Sequence, residues 1–68
     1  MQNRSYTGCK TRQQMAAEYN LSVQTFRNKL RQNGINLPPG SIMPKWQKVI
    51  YERLGYPAGV NKEHYKDV

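Results

Sequence analysis

The sequence predicts an all-α fold, a small domain of three helices, and three observations carry that prediction. Apolar residues recur at helical spacing in three separate stretches, as one buried helix face requires. Each stretch is bracketed by residues that start or stop helices. No two segments alternate apolar and polar residues as a strand pair does. The length of 68 residues fits one domain, which at this size buries only about 60% of the surface it exposes when unfolded. Hydrophobic residues make up 37% and the mean hydropathy is -0.93, enough for one thin core. A multilayer α/β enzyme architecture is excluded, and function falls to a surface.

Residues 1–10 (MQNRSYTGCK) are polar, follow no helical or strand period, and read as an arm anchored by Tyr6. Thr11-Arg12-Gln13-Gln14 has the form of a capping box, which satisfies two free amide donors reciprocally. It opens a helix over about 12–19 with Met15, Ala16 and Tyr19 inward. Asn20 ends that helix, because asparagine adopts the left-handed conformation more readily than other residues with a Cβ. Leu21 follows as an apolar plug and Ser22 as a second N-cap, so the next helix spans about 23–32 with Phe26 and Leu30 inward, up to Asn33-Gly34.

Pro38-Pro39 forbids helix in the connector that follows, where Ile35 and Leu37 are spaced to point the same way and lid the core. Pro44 suits the first position of a third helix, about 44–54, on which Trp46, Ile50 and Leu54 form the inward stripe. Gly55 and Pro57 stop it. The expected domain is therefore 1–56. Residues 57–68 are expected as a mobile tail, since VNKEHYKDV has little to bury.

Eleven Lys and Arg against four Asp and Glu give a net charge of +7 and a pI near 9.9. Such a surface suits nucleic acid first and an anionic membrane second. The charge is also segregated: no acid stands between Glu18 and Glu52, an interval that holds Arg27, Lys29, Arg31, Lys45 and Lys48. The single cysteine, Cys9, excludes an internal disulfide and fits a reducing cytoplasm. With His64 it offers at most two of the four ligands a structural zinc needs, so no metal is expected. The same pair lacks the Gly-rich oxyanion loop and orienting acid of a nucleophilic site. With no P-loop and no paired carboxylates either, no enzyme activity, cofactor or small-molecule substrate is expected. No apolar run exceeds three residues, as at Val49 to Tyr51, far short of the roughly 20 that span a bilayer. No apolar signal region precedes it, so no membrane partner or export is expected.

The string from Met15 to Phe26, MAAEYNLSVQTF, resembles the helix-turn-helix family of DNA-binding proteins, of small bacterial or phage regulator type. The likeness covers about residues 12–32 and rests on Ala16 where two helices touch, a turn at Asn20 where the family usually has Gly, then Leu21, Ser22 and Phe26. The Pro44 helix also looks like the closing helix of small bacterial helix-turn-helix proteins of unassigned role. Excisionase and MerR-like regulators share only the helix-turn-helix half. Their β-hairpin wing is not expected in residues 34–41, which contain no basic residue and no clear second strand.

The resemblance implies that the second helix enters the major groove of double-stranded DNA. Its base readers are then Gln24, Arg27 and Asn28, because Arg bonds guanine and Gln or Asn bonds adenine bidentately. Ser22, Thr25, Lys29 and Arg31 sit nearer the edges and hold phosphates, with Lys10 and Arg12 clamping the same backbone. One module reads few base pairs, so a homodimer or adjacent sites are implied. The alternative is a protein-interaction adaptor or inhibitor whose basic face meets an acidic protein partner.

Overall fold

Thr11 opens the first helix as its spacing to Gln14 requires. In the computed structural model, which describes residues 8–68, the Thr11 hydroxyl accepts from the Gln14 amide at 3.0 Å and the Gln14 side chain accepts from the Thr11 amide at 2.8 Å. Tyr6, the expected anchor of the arm, lies outside the described residues. Helix α1 (Arg12–Glu18) gives way to Tyr19 as its cap. Asn20 then has φ 58, and among the described residues no other non-glycine has positive φ. The left-handed step brings the Leu21 amide back to the Ala16 carbonyl at 2.9 Å. Ser22 caps α2 (Val23–Gln32) through the Thr25 amide, and Gly34 at φ 69 turns the chain away. Pro44 begins α3 (Pro44–Leu54), after which Gly55 turns at φ 96.

The described residues thus form a small all-α domain, with no wing hairpin in the connector. Its one extended pairing is an isolated antiparallel bridge between Lys10 and Ile42, with amide-to-carbonyl distances of 3.0 and 2.7 Å. The buried core comprises Met15 and Ala16 of α1, Phe26 and Leu30 of α2, Ile35 and Ile42 of the connector, Ile50 and Tyr51 of α3, and Tyr65. Ile35 is the expected lid, and Leu37 packs beside it half-buried. On α3 the buried face is rotated from the expected Trp46–Ile50–Leu54 stripe. Gln47, Ile50 and Tyr51 are buried, while Trp46 and Leu54 pack only at the margin.

The rotation follows from a buried polar network around Gln47, which is 0% exposed. Its amide nitrogen donates to the carbonyls of Gly8 and Ile42, both at 2.8 Å, and its carbonyl oxygen accepts from the Tyr65 hydroxyl at 2.6 Å. A buried amide satisfied on both ends carries little desolvation penalty and fixes its surroundings in one arrangement. It joins the N-terminal arm, the connector and the C-terminal segment to α3. Residues 57–68, expected as a mobile tail, instead fold back: a 3₁₀ turn (Lys62–Tyr65) capped by Asn61 delivers Tyr65 into the core at 1% exposure. Tyr65 stacks edge-on against Tyr51, ring centroids 5.2 Å apart.

Candidate nucleic-acid interface

Phe26 and Leu30 point α2 into the core, with Val23 packed beside them, and so fix which side chains face outward. Gln24, Thr25, Arg27, Asn28, Lys29 and Arg31 are all exposed. At about 100° of rotation per residue, Gln24 and Asn28 run along the middle of this face. Arg27 and Arg31 border one edge, and Thr25 and Lys29 border the other. Gln24 donates its amide to the Asn28 side-chain oxygen at 3.2 Å. The pair thereby presents the Gln24 oxygen and the Asn28 amino group together, an acceptor beside a donor. Ser22 and Thr25 are joined hydroxyl to hydroxyl at 3.0 Å at the start of the helix.

Arg27 and Arg31 border a hollow of about 220 Å³ completed by Arg12, Leu30, Ile35, Asn36 and Leu37. Arg12 reaches it from α1 because the connector holds its guanidinium: one terminal nitrogen donates to the Gly40 carbonyl at 2.6 Å and the other to the Pro38 carbonyl at 2.8 Å. Among the described residues, neither Arg27 nor Arg31 has a hydrogen-bond or ion-pair partner. Arg27 and Arg31, expected to act at bases and at phosphates respectively, therefore share one setting. Asn36, Leu37 and the two carbonyls that fix Arg12 were invisible to a search for charge. Leu37 was expected only as a lid on the core, and the sequence signal for the carbonyls is the rigid Pro38-Pro39-Gly40 string.

Lys10 does not join this group. Its ammonium donates to the Glu18 carboxylate at 2.7 Å and to the Tyr51 hydroxyl at 3.0 Å, and it lies 5.5 Å from the centre of the Tyr51 ring. The Tyr51 hydroxyl also donates to the Glu18 carboxylate. Burial, and then the Glu18 carboxylate beside it, push the Tyr51 phenol far above the usual tyrosine range. Burial and Glu18 raise Tyr19 in the same way. This knot ties the bridge strand to α1 and α3 and withdraws Glu18 from the α2 face. Cys9 and His64 line a separate hollow with Gln14 and Asn61. Among the described residues no three His, Cys, Asp or Glu side chains gather to hold a metal, and no helix is long and apolar enough to cross a membrane.

The arrangement can therefore do two things chemically. The amide pair can recognise a group that offers a donor and an acceptor side by side, and the arginine-lined edge can hold an anion. Compared with family models, with curated proteins and with solved structures, the chain has no match.

Proposed function

We propose that this protein binds double-stranded DNA through a helix-turn-helix made of α1, residues 19–22 and α2, as a small transcriptional regulator or a mobile-element accessory factor. The observation that carries the reading is the outward face of α2, where an oriented Gln24–Asn28 amide pair is flanked by two arginines whose side chains have no partner among the described residues, and no acid stands on this face. The abrupt turn at Asn20, a left-handed step between the two helices, supports it. Gln24 and Asn28 meet base edges, where adenine offers an acceptor and a donor. Ser22, Thr25 and Lys29 hold phosphates along one edge of the groove, and Arg12, Arg27 and Arg31 along the other. This moves Arg27 from reading to holding and leaves Lys10 out.

A second reading is an adaptor or inhibitor whose basic face meets an acidic protein partner. Near the start of α3, Met43 is 53% exposed, and Lys45, Trp46 and Val49 line a shallow apolar hollow. The same patch would serve a homodimer, which a single module needs for useful specificity. Selection from a random duplex pool separates the readings. DNA binding predicts an enriched motif, whereas an adaptor yields no enrichment and no duplex affinity near physiological salt.

A further inference from the structure

We propose that the hollow between α1, α2 and the connector is a seat for one phosphate of the DNA backbone, gripped jointly by Arg12, Arg27 and Arg31. The inference rests on the DNA-binding reading and adds to it a single discrete anion site. The three side chains come from separate places in the chain, yet they line one depression of about 220 Å³. Like charges are brought together here without a carboxylate to offset them, for Glu18 is bound to Lys10 and Tyr51. That arrangement costs electrostatic energy in the free protein, and an anion in the hollow relieves it.

Arg12 is held in advance of any ligand. Its two bonds to Gly40 and Pro38 leave three of the five guanidinium donors available and fix the plane of the group. Arg27 and Arg31 are one helical turn apart and line the hollow from the same helix. The floor includes the buried Leu30 and Ile35 and the half-buried Leu37, beside which a charge-assisted bond to a phosphate is stronger than in open water. Asn36 completes the lining. A carboxylate partner would meet the same charge, but a phosphodiester also brings a deoxyribose whose carbon face suits that floor.

The test uses the whole protein with a duplex recovered by selection, in which each phosphate is replaced in turn by an uncharged methylphosphonate. Inorganic phosphate is titrated separately while the arginine Nε–H signals are followed. One replaced position should weaken binding by about tenfold, and that penalty should vanish in Arg27→Gln and Arg31→Gln, both exposed sites at which folding is preserved. Inorganic phosphate should shift the Arg12, Arg27 and Arg31 signals together and leave Arg53, which bonds the Asn33 carbonyl, unmoved. Duplex binding with small, uniform penalties at every position and no dependence on these arginines would overturn the seat while leaving DNA binding intact. Absence of duplex binding overturns both. Tighter capture of a polyglutamate chain than of the duplex would give the hollow to an acidic protein instead.

Discussion

The Tyr65 hydroxyl donates to the Gln47 side-chain oxygen at 2.6 Å, and both residues are almost wholly buried. Through this bond the last turn of the chain is part of the core. Tyr65→Ala should therefore destabilise the domain by about 3 to 5 kcal/mol, as loss of a large buried aromatic does. Tyr65→Phe should cost about 1 to 3 kcal/mol, because it orphans one buried acceptor and keeps the packing. Urea unfolding of the two variants checks the pair. Wild-type stability in both would mean that residues 57–68 contribute nothing to the fold.

Asn20 sits at φ 58 in the turn between α1 and α2. Asn20→Gly should be nearly neutral, whereas Asn20→Val should lose about 1 to 3 kcal/mol, since a β-branched side chain is strained in the left-handed region. Chemical denaturation reads both. A tolerated valine would remove the abrupt turn on which the placement of α2 depends.

Tyr51 gives the fold an alkaline limit. The unfolded chain ionises its tyrosines near the ordinary value of about 10, while burial and the neighbouring Glu18 keep the folded Tyr51 protonated well above that. Above this value the unfolded state binds fewer protons than the folded one, so stability is full below it and falls as the pH rises through and beyond it. The urea midpoint should drop between about pH 9 and about pH 11, and Tyr51→Phe should make the drop shallower. Tyrosinate absorbance that develops fully in this range with the helical signal unchanged would contradict the burial of Tyr51.

Helix limits were legible because they are set by neighbours in the chain. Thr11 with Gln14, Ser22, Pro44 and Gly55 each act within one turn, and the structure places α2 and α3 on the predicted bounds and ends α1 one residue early. The face of α3 was not legible. Trp46, Ile50 and Leu54 make a plausible stripe, but the true face depends on Gln47, whose partners Gly8, Ile42 and Tyr65 are remote in sequence. A polar residue is read as core only when its partners are known. The return of Tyr65 was hidden for the same reason, although the Asn61 cap before it was a readable sign of a turn.

On α2, the exposure of Gln24 and Asn28 on one outward face was legible from helical periodicity. The engagement of Lys10 was not, because a count of charges cannot tell that Glu18 has claimed it. The grouping of Arg12 with Arg27 and Arg31 was equally hidden, since it depends on the path of residues 36–40 beneath them.

In the proposed DNA-binding mode, α2 reads sequence through its amide pair and holds the backbone through its arginine edge. The most direct test measures binding to the selected duplex and to a scrambled one across a salt series, for the wild-type protein, Asn28→Ala and Arg31→Ala. Asn28→Ala should narrow the gap between the two duplexes by about tenfold and leave the salt slope unchanged. Arg31→Ala should weaken both duplexes alike and lower the slope by about 1. Equal, purely salt-dependent losses in both variants, or no duplex binding by the wild-type protein near physiological salt, would contradict the account.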